Sequence, residues 1–415
     1  VLEFCDAPYR FFEPRPFPAL IRLGRAVNRW CILPGPNHRI REVLVDGALD
    51  ALDDARRNGD RLLFVINHAT HSDPQAVTEI QRRLGIDACF MAAYDVFLRS
   101  PLNAWVMTRM GCFSVDREGA DRKAMATAIQ VLAAGQRALN IFPEGNVYLT
   151  NDRVTSFLDG AAFIALKAQA AAGDAGVKII PLSLKFTHLT TPREAITRRM
   201  VDLAAASGYA FPPGAADDPV AAVLGLGRHI VGGYLEQHGL SGKLPDDGPE
   251  LYPLLEKFAA NLVAEVERGL EITPPADAAL VSRIAKARAK IHQLRTDPDA
   301  RPHPEIHGLA DRAILALRVH GYLTPYLTEN PVIDRYDETV ERIAEDFHSR
   351  LMPRTGPRRV MARVGTPIDV RGYAGQKSRD AIAALTREME TRVQQGLDAL
   401  NAANTAPGRM RVKPV

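Results

Sequence analysis

The chain has 415 residues, 46% of them hydrophobic, and a net charge of +3, which suits two ordinary domains or one enlarged one and is too small to argue for nucleic acid. Its four cysteines, Cys5, Cys31, Cys89 and Cys112, are scattered without a C-x-x-C spacing, so they read as reduced cytosolic thiols rather than a disulfide framework or metal site. No run approaches the roughly 18 apolar residues of a membrane span and the start lacks a signal-peptide pattern. A soluble or peripheral protein is expected, and the start at Val1 leaves a trimmed leader open.

The first periodic stretch runs from Phe17 to Trp30, with Leu20, Leu23, Val27 and Trp30 on one helical face and Arg22, Arg25 and Arg29 on the other side. A basic face opposite a Trp-bearing apolar face is the pattern of an interfacial helix. The competing reading, an amphipathic helix whose apolar face packs on the protein's own core, is the commoner use of such a pattern. Glu42–Val45 then reads as a strand, Ala48–Arg57 as a helix, and the continuously apolar Leu62–Ile66 as a buried strand.

At the end of that strand stands Asn67-His68-Ala69-Thr70-His71-Ser72-Asp73, where an apolar run gives way to a helix start. Asp73-Pro74 looks like an N-cap followed by proline at the first helical position. A loop that folds back brings the Asp73 carboxylate to one imidazole nitrogen of His68 and leaves the other open, the layout of a general base and its orienting partner. Asp73 is equally readable as a plain helix cap.

Further strands are expected at Cys89–Ala92, Cys112–Val115, Ala138–Phe142 and Val177–Leu184, with helices at Leu102–Met110, Ala124–Ala134 and Ala161–Ala171. This alternation predicts an α/β layered domain with its functional groups along one edge of the sheet. After Phe186 the pattern turns helical, broken by loops at Phe211–Gly214, Leu244–Pro249 and Thr296–Asp299. A second basic stretch, with Arg283, Lys286, Arg288, Lys290 and Arg295, reads first as a solvated charged face. Strand signal returns only at Arg359–Val364, followed by Gly365–Val370 and a helix from Arg379 to Leu400.

Four segments in order carry a family resemblance: the His68 segment, Gly111-Cys112-Phe113-Ser114-Val115-Asp116-Arg117, Phe142-Pro143-Glu144-Gly145, and Ile179-Ile180-Pro181-Leu182. Together they resemble the four blocks of the glycerolipid acyltransferases, the 1-acylglycerol-3-phosphate acyltransferase-like family, over about residues 41 to 187. The resemblance implies an α/β fold, a mixed sheet flanked by helices, here with a large helical insertion. It implies His68 as catalytic base with Asp73 as its partner, Arg117 as a phosphate contact, and Asn67, Glu144 and Gly145 as substrate-binding residues. Where many members continue the third block with Thr-Arg-Ser, this chain has Asn146-Val147-Tyr148, and Arg153 is the nearest replacement for the missing arginine.

The layout expected is an N-terminal amphipathic segment (1–40), an acyltransferase core (41–187), a helical insertion (188–355), a return to the core with the last strand and helix (356–403), and a tail (404–415). A separate C-terminal domain is the alternative to insertion. The Val360, Ala362, Val364 alternation needs a sheet to join, which favours insertion.

The implied activity is transfer of a fatty acyl group from acyl-CoA or acyl carrier protein to a hydroxyl of a glycerol phosphate or lysophospholipid, with 1-acylglycerol-3-phosphate foremost. No cofactor beyond the thioester co-substrate is expected, and the implied setting is cytoplasmic with peripheral contact on the inner face of a membrane. An imidazole, with an ordinary pKa of about 6.5, suits proton transfer from the attacking hydroxyl to the leaving thiolate. Asp73 would fix its tautomer, as in a serine-protease triad without the serine. Backbone N–H groups near the helix after His68 are the expected oxyanion donors.

Other readings are weaker. A metal-dependent hydrolase using His68, His71 and Asp73 departs from the usual H-x-H-x-D-H spacing. Ser72 lacks the G-x-S-x-G elbow of a hydrolase nucleophile, and Cys112 reads as a small buried thiol. A non-catalytic lipid-binding member of the same fold is the remaining alternative, supported by the altered third block.

Overall fold

The computed structural model describes residues 7–119, 121–237, 244, 250–276, 278–297, 303–322, 325–373 and 375–413. Cys5, the expected loop residues 245–249 and residues 298–299 lie outside them. By compactness the chain divides into two units, residues 10–191 with 356–409, and residues 192–355 with both chain ends.

The first unit begins with α1 (Pro18–Val27), a π turn (Asn28–Ile32), β1 (Ile40–Gly47), α2 (Leu49–Arg57), β2 (Arg61–Ile66) and α3 (Asp73–Arg83). It continues with β3 (Ala88–Ala93), α4 (Tyr94–Phe97), α5 (Pro101–Arg109), β4 (Cys112–Val115), α6 (Arg122–Ala134), β5 (Ala138–Ile141), α7 (Gly160–Ala171) and β6 (Val177–His188). The second unit is helical among its described residues. It comprises α8 (Arg193–Ser207), α9 (Pro219–Gln237), α10 (Leu251–Gly269), α11 (Leu280–Thr296), α12 (Ile306–His320), α13 (Tyr326–Glu329) and α14 (Ile333–His348). The chain then returns to the first unit with β7 (Arg358–Val364), β8 (Ile368–Asp369) and α15 (Ser378–Ala403).

Eight strands among the described residues make one mixed sheet in the order β1-β7-β6-β2-β5-β3-β4, with β8 beside β6. Strands β6, β2, β5, β3 and β4 are parallel, whereas β7 is antiparallel to β6 and parallel to β1. The fold is thus the α/β mixed sheet with a helical insertion that the four sequence blocks imply.

The continuously apolar β2 has a simple cause: both of its faces are covered. Leu62, Phe64 and Ile66 pack with Ala76, Val77 and Ile80 of α3. Leu63 and Val65 point the other way, toward Ala128 and Leu132 of α6, Ala161 to Ala168 of α7, and Leu385 and Met389 of α15. Pro181 is tolerated inside β6 because the neighbouring strand changes there. Residues 178–179 pair with β8 and residues 182–188 with β7, so its missing N–H falls in the gap between them.

Three expectations about local structure need correction. Helix α3 starts at Asp73, with Ser72 in the cap position and Pro74 second. In α1 the inward residue is Ile21, and Asn28 follows it inward from the π turn, while Leu23, Val27 and Trp30 are exposed, so the apolar face is not packed on the core. The second basic stretch is not uniformly solvated either. Arg288 is buried, and Arg283 forms a two-pronged pair with Glu267 at 2.9 and 2.5 Å.

Candidate active site

His68 follows β2, Asp95 follows β3, Arg117 follows β4 and Glu144 follows β5, so all four lie beyond the carboxyl ends of parallel strands, where open α/β sheets place ligands. The loop after β2 folds back within five residues. His68 Nδ1 lies 2.8 Å from Asp73 Oδ2, with the carboxylate fully buried and the imidazole partly exposed. Asp73 also accepts the Thr70 backbone N–H at both oxygens, 3.1 and 3.0 Å, and the Thr70 hydroxyl at 3.3 Å. Its side chain therefore does not cap α3. It serves the residues before the helix.

The His68 ring stacks on Phe142 at 4.4 Å, which fixes its plane from the side of the third block. With Nδ1 engaged by a carboxylate, the proton on that nitrogen is favoured and Nε2 is left as the basic atom. No hydrogen bond to Nε2 forms among the described residues.

Glu144 and Asn67, expected to meet substrate, are buried and turn their side chains inward. Glu144 Oε1 accepts the His68 backbone N–H at 2.6 Å, and Oε2 accepts both the backbone N–H (3.0 Å) and the hydroxyl of Thr155. Burial pushes the Glu144 carboxyl up, against the pull of these donors. Asn67 bridges to β6, accepting Leu184 N–H at 2.7 Å and donating to Leu184 O at 3.0 Å. Gly145 takes the left-handed conformation (φ +74°) that closes the turn from Phe142, where an added Cβ would meet Leu158 at 2.9 Å.

Arg117, exposed at the surface, donates to Asp95 Oδ1 at 3.2 Å and to Asn146 Oδ1 at 3.3 Å. The residue that replaces the family's Thr in the third block thus contacts the arginine of the second. Arg153 is partly buried, and its N–H closes a turn to Thr150 O at 3.2 Å. The expected oxyanion donors are largely spent. The N–H groups of His68, Thr70, Ser72 and Asp73 go to Glu144, Asp73, the Thr70 hydroxyl and Thr70 O.

Several supporting residues have no local sequence signal. On α15, Thr386, Glu390 and Gln394 are spaced by four and share one face. Gln394 accepts Val154 N–H at 3.0 Å, Glu390 accepts Phe157 N–H at 2.9 Å, and Thr386 donates to Asp159 at 3.1 Å. They fasten the loop that carries Thr155. Behind it, buried Lys185 pairs with Asp152, which also holds Arg409 at 2.9 Å. Arg358 of β7 donates to Ser72 Oγ at 2.9 Å and to His38 O at 2.9 Å, bracing the residue before Asp73. Thr70, by contrast, has a local signal, because it stands three residues before Asp73 inside the motif.

A buried carboxylate that aligns an imidazole at the end of a parallel strand, with an arginine beyond the next strand but one, has the geometry that acid–base group transfer requires. Residues 50–185 match the family model described as Acyltransferase, and the chain carries an acyltransferase domain of the 1-acylglycerol-3-phosphate acyltransferase-like family. No curated protein matches the chain. Among the described residues no three His, Cys, Asp or Glu side chains converge as a metal set, and His71 does not join His68 and Asp73 in one. No helix of the described residues is long and apolar enough to cross a membrane.

Proposed function

We propose that this domain moves a fatty acyl group from an acyl-CoA or acyl carrier protein thioester to a hydroxyl of a glycerol phosphate or lysophospholipid, with 1-acylglycerol-3-phosphate the foremost acceptor. The observation that carries the proposal is the His68 Nδ1–Asp73 contact of 2.8 Å with Nε2 unengaged. His68 Nε2 takes the proton of the acceptor hydroxyl as its oxygen attacks the thioester carbon. The tetrahedral intermediate collapses, the C–S bond breaks, and the imidazolium returns the proton to the departing sulfur. Asp73 holds the tautomer and balances the transient imidazolium charge.

Arg117 binds the acceptor phosphate on exchanging Asp95 for it, and a planar guanidinium suits two phosphate oxygens. Glu144, Asn67 and Thr155 act as positioning residues, because Glu144 holds the His68 N–H, Thr155 holds Glu144, and Asn67 ties the residue before His68 to Leu184 of β6. A non-catalytic lipid-binding role has less support, since it gives no use to a buried carboxylate aligned on a partly exposed imidazole.

The deciding experiment is thiol release from acyl-CoA and from acyl carrier protein with a panel of hydroxyl acceptors, run on the wild type and on His68→Ala. Acceptor-dependent thiol release that disappears in the variant is expected. Acceptor-independent release, or equal rates in both proteins, would overturn the reading.

A further inference from the structure

We propose that the face built by α1, the π turn and α5 is a docking surface for an anionic lipid bilayer. The inward stripe of the first two elements is set by Ile21, Gly24, Arg25 and Asn28. Gly24 lies against Met110 so closely that a Cβ would come within 2.5 Å of its sulfur. Arg25 pairs with Asp87 at 2.8 Å and donates to Ile86 O at 2.6 Å, and Asn28 donates to Gln75 O of α3 at 2.9 Å. These contacts point Leu23, Val27 and Trp30 away from the protein, and Trp30 is 70% exposed.

Helix α5 adds to the same region. The chain entering α1 hydrogen-bonds to its last turns, Arg15 N–H to Thr108 O at 2.8 Å and Phe17 N–H to Arg109 O at 2.9 Å. With Ala104 facing in, α5 exposes Leu102 (69%) and Trp105 (50%). Exposed apolar side chains of this size, grouped on adjoining elements, mark a surface that something covers.

Charge identifies what covers it. Residues 14–41 and 96–115 contain no Asp or Glu at all, in a chain that has 49 of them, yet they hold eight arginines. Arg25 is committed to Asp87, and Arg15 lies 3.6 Å from Glu13. Arg22, Arg29, Arg99 and Arg109 pair with no carboxylate among the described residues, while Arg29 and Arg109 lie over the Trp30 and Trp105 rings at 4.7 and 5.9 Å. A symmetric contact with a second copy would set arginine against arginine. A nucleic acid would leave the tryptophans and leucines in water. An anionic bilayer answers both halves, taking tryptophan at its interface and arginine at its headgroups.

The surface adjoins the candidate site through Asn28, since Gln75 lies two residues from Asp73 on α3. That a docked chain thereby draws its acceptor from the lipid rests on the proposed function, whereas docking itself does not.

The test is co-sedimentation of the full chain, without substrates, with vesicles of phosphatidylcholine alone and with phosphatidylglycerol added. Binding should appear with phosphatidylglycerol and fall as salt rises. Arg22→Gln/Arg29→Gln should weaken it by about 25-fold, at roughly fivefold per arginine. Trp30→Ala/Trp105→Ala should weaken it by at least about tenfold, with circular dichroism confirming that both variants fold. No wild-type binding to the anionic vesicles, or equal binding by wild type and both variants, would overturn the proposal. So would a wild-type dimer in sedimentation velocity that the tryptophan variant dissociates. Acyl transfer on a detergent-dispersed acceptor, measured separately, distinguishes the two proposals: a wild type that turns over without binding anionic vesicles sinks docking alone, and one that binds them without turning over sinks only the reaction.

Discussion

The Glu144 carboxylate accepts the backbone N–H of His68 at 2.6 Å across 76 residues of sequence, so the third block fixes the main chain of the first instead of facing outward. The other oxygen holds Thr155, which makes one side chain the joint between the two loops.

Glu144→Gln should reveal both sides of that joint. A carboxylamide has one acceptor oxygen where the carboxylate has two, and its NH2 would face a backbone N–H, a mismatch worth about 1–3 kcal/mol. Turnover should fall through misplacement of His68. Because burial raises the carboxyl pKa, the folded wild type holds that proton more tightly than the unfolded chain does. The stability it confers is full below the ordinary carboxylate range and is lost as pH rises through the raised value. The melting-temperature advantage of wild type over Glu144→Gln should therefore shrink from acid toward neutral pH. An advantage that grows along the same series would show the carboxyl to be depressed.

His68→Ala should lower kcat by about 100- to 10,000-fold, the usual worth of a positioned acid–base group, with little change in melting temperature. Asp73→Asn should cost less, because the base remains. Single-turnover thiol release, with circular dichroism as the folding control, measures both. A purified His68→Ala protein that turns over near the wild-type rate removes this mechanism.

Arg117→Ala should raise KM for a phosphate-bearing acceptor about tenfold or more while leaving the thioester KM nearly unchanged, since a charged hydrogen bond is worth about 1.5–3 kcal/mol. Asp95→Asn should act in the opposite direction. It removes a competing partner held in a partly exposed pair, worth up to about 1 kcal/mol, so the acceptor KM should fall by no more than about fivefold. Equal shifts in donor and acceptor KM would make Arg117 structural.

Gln394→Ala should free the Val154 N–H and loosen the loop that presents Thr155 to Glu144. Loss of one such bond costs about 1 kcal/mol of stability. Hydrogen exchange over residues 150–159 should quicken, with kcat reduced and the thioester KM nearly unaltered. Unchanged exchange there would show that Glu390 and Thr386 hold the loop without it.

Thiol chemistry separates the cysteines. Burial pushes the Cys89 thiol up to about 11 and the Cys112 thiol up to about 12, leaving almost no thiolate near neutral pH, whereas Cys31 is exposed. Peptide mapping after brief iodoacetamide treatment should find Cys31 alkylated well before the other two, which become reactive on denaturation. Rapid native labelling of Cys112 would contradict its assignment as an inert thiol.

The strands and helices of the first unit were legible because each is a local periodicity. The four-residue β4 was read to the residue, and β2, β3, β5 and α7 to within one residue at either end. The short α4 and α13 carried too few residues for any period to show. The approach of His68 and Asp73 was legible for the same reason, since a five-residue loop between a strand and a helix leaves the two side chains few places to go. What the sequence could not supply was the direction of a polar side chain. Asn67 and Glu144 have the composition of substrate-binding residues, but backbone donors of Leu184, His68 and Thr155 lie within their reach, and a buried donor without a partner is costly. Only the assembled sheet places those donors. The same holds for Gln394, whose partner Val154 lies 240 residues earlier, and for α1, whose outward face was set by the docking of Arg25 on Asp87 rather than by its own pattern. Periodicity along the chain determined which elements form. Which face of each turns inward, and what its polar groups meet there, was decided by the packing of one element on another.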